Sequence, residues 1–182
     1  MNLRNQYNSF LQRFIKIKKK SIHVEAIVKD EVWQNLKKLI GKGYTWFVIT
    51  PANYGFCKNH FNIRMTKEEF TKKLLERIRF LKDNNEEIQL HIHFTLVKEF
   101  FDNQLQEEKF DEAMKFMSQL QIKPTKFVAG WYKYNDYTLS LAKKYGIKVF
   151  YAFDHNPLRR AVIKNGIIIY YEYKVWHDYD FI

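Results

Sequence analysis

From residue 21 onward, short β-rich runs alternate with longer stretches whose apolar residues recur at helical spacing, and no other feature restricts the fold as much. "SIHVEAIV" (21–28) reads as a strand. Asp30 can cap a helix behind it, with Val32, Trp33, Leu36, Leu39 and Ile40 on one apolar face and Gly41 and Gly43 ending it. "YTWFVIT" (44–50) is a second strand, stopped by Pro51. Thr66 and Glu69 form a capping box, and Phe70, Leu74, Ile78 and Leu81 behind it predict a helix of roughly four turns. "EEIQLHIHF" (86–94) is a third strand, followed by a helix around 108–120 that carries Phe110, Ala113, Met114, Met117 and Leu120. The strand "KFVAGW", a helix capped by Asn135 or Asp136 and ended by Gly146, and the strand "IKVFYAF" continue the pattern. In "AVIKNGIIIYYEYKVW" the pair Asn165-Gly166 separates two β-rich runs, which predicts a two-residue hairpin. Strands joined through helices pair in parallel. The expected fold class is therefore α/β, with mainly parallel strands in an open sheet or an incomplete or irregular (β/α) barrel, ending in a hairpin. Ligands of such folds sit beyond the carboxyl ends of the strands.

Composition narrows the class. With 46% hydrophobic residues and 16 Phe, 12 Tyr and 4 Trp, the chain is too apolar and aromatic for disorder. Its 182 residues suit a single domain, 1–182, with 1–20 as a basic lead-in. No apolar run approaches the roughly 18–20 residues of a membrane-spanning helix, and the N-terminus lacks the apolar region of a signal peptide, so a cytoplasmic location is expected. The single cysteine, Cys57, cannot form an intramolecular disulfide and reads as a packing residue. The net charge of +11 favours acidic partners, among them nucleic acid, anionic lipid and acidic saccharides, or serves solubility alone. Its densest run, "RFIKIKKK" (Arg13 to Lys20), reads as a solvated edge leading into the first strand, with a membrane or RNA contact as the other reading.

Chemistry concentrates in three places. On a strand, residues two apart share a side, so His91 and His93 face one way while Leu90, Ile92 and Phe94 face the other. Two such imidazoles, with a carboxylate from a neighbouring strand, make an open coordination set for a transition metal; two satisfied or surface histidines are the competing reading. His23 and Glu25 likewise share a face of the first strand and interrupt a run that should be buried, where a carboxylate needs a cation. "VWHDYDF" then adds His177, Asp178 and Asp180 after the last apolar strand.

In the order of these elements the chain resembles the polysaccharide deacetylase family, the NodB homology domain, over roughly residues 21–182. "SIHVEAIV" is similar to the family's first motif, "EEIQLHIHF" to the segment holding its metal histidines, and "VWHDYDF" to its late apolar-His-Asp motif. "KPTKFVAGWYKYNDYTLSLAKKYGIKVFYAF" resembles the stretch in which an arginine-containing motif precedes a helix and a strand. The resemblance implies a divalent metal, commonly zinc, that activates water against the acetamide carbonyl of an N-acetylated sugar. It implies Glu25, His91 and His93 as metal ligands. It places His23 where the family has its aspartate base, and His177 as general acid, followed by Asp178. Three positions depart from the pattern. His23 replaces the base aspartate and could equally be a fourth ligand. The second metal histidine usually lies four residues after the first, where Thr95 stands here. The motif arginine aligns with Val128.

The leading expectation is a metal-dependent hydrolase acting on an N-acylated saccharide, with an acidic saccharide within the class. A second is an inactive barrel that binds an anionic glycan or nucleic acid, using Trp131, Tyr132, Tyr134, Trp176 and Tyr179 as stacking platforms; nucleic acid is the less favoured partner. A third, an α/β phosphatase or nuclease, shares the same ligand set.

Overall fold

A computed structural model describes residues 20–94, 102–153, 161–172 and 176–178. Thr95, Tyr179, Asp180, the side chain of Trp176 and the basic run up to residue 19 lie outside them. Among the described residues eight strands form one sheet: β1 (Ser21–Val24), β2 (Thr45–Val48), β3 (Glu87–Ile92), β4 (Lys126–Ala129), β5 (Val149–Phe153), β6 (Ala161–Lys164), β7 (Ile167–Glu172) and β8 (Trp176–His177). The helices are α1 (Asp30–Lys37), α2 (Tyr54–His60), α3 (Lys67–Asp83), α4 (Asn103–Gln119) and α5 (Asp136–Lys144).

The strand order is β6-β7-β5-β4-β3-β2-β1-β8. Only β6 and β7 pair antiparallel; every other neighbour is parallel. The sheet curls. Ser21 on β1 donates its hydroxyl to Glu172 on β7, although β2, β3, β4 and β5 lie between them in the sheet. The result is the incomplete α/β barrel expected from the alternation. Asn165 and Gly166 both take left-handed backbone, φ 52° and 76°, as a two-residue hairpin turn requires. The chain does not stop at that hairpin: the two-residue β8 returns to the far edge and pairs with β1.

Period-two alternation divides the strands between two cores. Ile22, Val24, Trp46, Val48, Leu90, Ile92, Phe127 and Phe150 join the helices in the larger one. Phe47, Val128, Val149 and Tyr151 form a smaller one on the other face, inside the curl. The polar strand residues Ser21, His23, Thr45, Gln89 and His91 alternate with the first set and are also buried, so the interior of the curl carries the unusual chemistry.

Local signals explain the elements and their limits. Thr66 and Glu69 close the capping box of α3, the Thr66 hydroxyl accepting from Glu69 N at 3.2 Å and the Glu69 carboxylate from Thr66 N at 2.7 Å. Asn135 caps α5 with Thr138, and Asp102 caps α4, which starts five residues before the sequence pattern suggested. Asp30 does not cap α1. It lies in the first turn, and its carboxylate meets Lys73 at 2.8 Å and also Arg77. The seven-residue α2 after Pro51 was not anticipated, being too short for periodicity to register. β1 ends at Val24, well before residue 28, because a carboxylate captures the backbone N–H groups of the next two residues.

Arg77 secures the turn that follows β1. Only 4% exposed, it donates to the carbonyls of Ile27 and, at 2.9 Å, Lys29, and lies 5.6 Å from the Trp33 ring. Replacing it with Met strands buried carbonyls, so urea unfolding of Arg77→Met is expected to show a loss of about 1–3 kcal/mol; a loss below about 0.5 kcal/mol would mean that water satisfies the turn. No helix among the described residues is long and apolar enough to cross a membrane.

Candidate metal centre at the carboxyl ends of the strands

β1, β3 and β8 run in one direction, so their carboxyl ends meet at one rim. Register brings His23 opposite His177 on one side and Phe47 on the other, and His91 opposite Val128. Glu25 follows β1 directly and His93 follows β3. The Glu25 Oε1 atom is the hub: it lies 3.6 Å from His91 Nε2, 3.3 Å from His93 Nε2 and 3.5 Å from His177 Nδ1. Ligand atoms of His23, Glu25 and His91 lie within 4.8 Å of one another. His91 and His93 are wholly buried, and His23 and Glu25 are 2% and 4% exposed.

Electrostatics sets the protonation. Burial pushes the Glu25 carboxyl up, but hydrogen bonds from His177 and His93 and the charges of His91 and His93 outweigh it and hold the pKa well below the carboxylate range. Burial, first of all, drives the His91 imidazole well below its ordinary value, and it lowers His93 in the same way. At neutral pH the ionised Glu25 carboxylate thus lies against the neutral imidazoles of His91 and His93. Both ring nitrogens of His91, Nε2 of His23 and Nδ1 of His93 are buried without a hydrogen-bond partner among the described residues. Buried nitrogens are seldom left so. Unshared imidazole lone pairs beside an ionised carboxylate are the donor set of a divalent transition metal, so these residues fit the metal that the resemblance implies.

The rings are not equivalent. Phe56, His93 and His91 form a stack, with centroids 3.8 Å and 4.6 Å apart and planes inclined by 16° and 12°. His23 stands across it, 5.1 Å from His91 at 82°. An imidazole donates in its own plane. Stacked rings hold their lone pairs in nearly parallel planes, whereas the planes of crossed rings intersect. Glu25, His91 and His93 lie together at one rim with the two stacked ring planes nearly parallel, and His23 stands across His91 beside the same carboxylate.

The support of this group was only partly foreseen. Asp178 accepts the N–H groups of Glu25 at 2.9 Å and Ala26 at 2.6 Å through one oxygen, bending the chain so that Glu25 turns toward the histidines. Burial raises its carboxyl to about 7, against the pull of those N–H groups. Asn53 and Lys109 both donate to the His93 carbonyl, at 3.1 Å and 3.0 Å. A Cβ on Gly130 would stand 2.0 Å from His93 Nδ1, so only glycine lets the backbone pass there. Glu172, 7% exposed, lies 3.6 Å from His23 Nε2 and 3.5 Å from the Tyr132 hydroxyl. The charge in "IIIYYEY" could have marked it, as the charge in "SIHVEAIV" marked Glu25; nothing in the sequence marks Gly130. Cys57 is buried, its pKa raised by burial and by Glu25, so the thiol stays protonated.

Of the expected platforms, Tyr134 packs on Phe150 at 4.4 Å and Tyr132 points into the curl, 5.7 Å from His23. Trp131 is different, at 53% exposed. Trp131 and Tyr132 both have positive φ, 50° and 55°, which costs a residue bearing a Cβ about 1–2 kcal/mol.

The sequence matches no family model and no curated protein. Solved structures do resemble the fold. A protein named as a polysaccharide deacetylase from Mycobacterium smegmatis aligns with a TM-score of 0.54 at 12% identity, over 85% of this chain and 58% of that one. The family 4 carbohydrate esterase from Streptomyces lividans, solved with acetate, aligns with a TM-score of 0.54 at 12% identity, over 87% and 78%. The 4-alpha-glucanotransferase from Thermococcus litoralis aligns with a TM-score of 0.57 at 10% identity, over 86% of this chain and 27% of that one. The chain thus spans little more than half of the first of these and about a quarter of the glucanotransferase.

Proposed function

From a chain that carries the polysaccharide deacetylase fold, we propose a metal-dependent hydrolase that removes an acyl group from an N-acylated saccharide. The observation that carries it is the ionised Glu25 carboxylate 3.3–3.6 Å from imidazole nitrogens at the rim. Glu25, His91 and His23 would hold the cation, and His93, beside the same oxygen, would complete the imidazole shell. A divalent metal bound there, zinc among the candidates, would supply Lewis acidity that polarises a carbonyl and lowers the pKa of water to about 7. Asp178 keeps Glu25 turned inward through the backbone. His177 is the one imidazole of the group that solvent reaches, its side chain 26% exposed, so it can take a proton from bulk water and give it to the departing amine. The saccharide substrate is inferred from the names of the structural neighbours.

Elemental analysis after chelation and zinc reconstitution is expected to find one metal per chain in the wild type, and none above background in Glu25→Ala or His91→Ala. Amine release from N-acetylated oligosaccharides, with phosphate esters in parallel, tests the reaction. A wild type that holds no stoichiometric metal ends this reading. The second reading, a binding barrel without catalysis, is favoured by Val128: it is buried beside His91 in the inner core and offers no charge where the family's motif has arginine. Metal binding without amine release supports it.

A further inference from the structure

We propose that Trp131 and Lys133 form a platform for an anionic saccharide, the sugar ring stacking on the indole while its carboxylate or sulfate pairs with the ammonium group. This rests on the reading of the rim as a saccharide-processing centre and names its substrate class. Among the described residues the exposed large hydrophobic side chains are Phe80, Trp131 and Ile163. Phe80 lies on α3 and Ile163 on the hairpin. Trp131 alone stands at the metal centre, 5.6 Å from the His93 ring, which is itself 4.6 Å from His91.

Folding does not explain that exposure. Two consecutive aromatic residues take left-handed backbone, and the conformation turns Tyr132 inward and Trp131 outward. Such strain, with the larger side chain left in solvent, is the mark of a functional position. The indole is also braced. It stands nearly perpendicular to Phe56 and His93, at 86° and 89°, with its centroid 5.6 Å from each ring of that stacked pair. A platform already held in place loses little freedom when a ligand arrives.

The charge of the ligand follows from Lys133, exposed, with Nζ 5.4 Å from the indole centroid, and from the net charge of +11. The cation–π contact is weak at an exposed site, so the ammonium can turn to an anion on the stacked ring. A nucleobase could stack there as well. Grooves for single-stranded nucleic acid, however, align several exposed aromatics along a strand. Here the neighbours Tyr132 and Tyr134 pack into the fold, which favours a sugar.

Titration of the whole protein with a galacturonate hexamer, a heparin-derived hexasaccharide, N-acetylchitohexaose and an oligo-dT strand tests this, read by calorimetry. Both anionic saccharides, or the one whose anion fits, are expected to bind more tightly than the neutral one. Trp131→Ala is expected to weaken binding about tenfold or more, one stacked ring contributing on that order. Lys133→Ala, at an exposed position that leaves the fold intact, is expected to erase the preference for anionic over neutral saccharides. Neither substitution removes a metal ligand, so zinc content stays at the wild-type value in both. Unchanged saccharide affinity in Trp131→Ala, a preference that survives Lys133→Ala, or tighter binding of oligo-dT than of any saccharide overturns the proposal. A wild type that takes up no stoichiometric zinc but binds the saccharides overturns the hydrolase reading and leaves the platform standing.

Discussion

Gly130→Ala is expected to weaken zinc binding by about 10- to 100-fold, the usual penalty for disturbing what holds a metal ligand in place. The added Cβ would lie 2.0 Å from His93 Nδ1 and 2.2 Å from its Cγ. The ring has no room to give way. Phe56 is stacked 3.8 Å from it and His91 4.6 Å from it, while Asn53 and Lys109 hold the His93 carbonyl. Gly130 does not have a left-handed φ, so alanine brings steric conflict alone and no backbone strain. Overpacking of this kind also costs about 1–3 kcal/mol of stability. Competition against a chromophoric chelator measures the affinity and urea unfolding the stability. Zinc binding as tight as wild type, in a variant that remains folded, would place His93 outside the centre.

Asp178→Ala is expected to lose about 2–6 kcal/mol, two buried N–H groups being stranded at about 1–3 kcal/mol each. Both are held by one oxygen, Oδ2, while Oδ1 has no hydrogen-bond partner among the described residues. An amide oxygen can do the same work. Asp178→Asn is therefore expected to unfold within about 1 kcal/mol of the wild type, since the amide keeps both bonds and buries no charge. The two unfolding curves test this role: equal losses in both variants would show that the negative charge matters and the N–H contacts do not. If Asp178→Asn holds zinc but stops amine release, the carboxylate also takes part in the reaction.

Much of the scaffold was legible because its signals are local. The capping box at Thr66 and Glu69, the Asn165-Gly166 turn and the apolar face of α3 each depend on residues a few positions apart. The shared side of His91 and His93, and that of His23 and Glu25, follow from the two-residue period of a strand in the same way. What escaped was short or distant. The seven residues of α2 are too few to show a period, and β8 has two residues. The end of β1 at Val24 depends on Asp178, more than 150 positions away.

By itself the sequence determined the alternating α/β order, the hairpin and the side of each strand on which imidazole and carboxylate stand, since these follow from backbone geometry and spacing within one segment. Only the tertiary structure decided that one oxygen of Glu25 meets three imidazoles, that His23 crosses His91, that Gly130 passes against His93, and that Glu172 reaches Ser21 across 151 positions. Those contacts depend on how far the sheet curls, and the curl comes from the packing of all the strands and helices together.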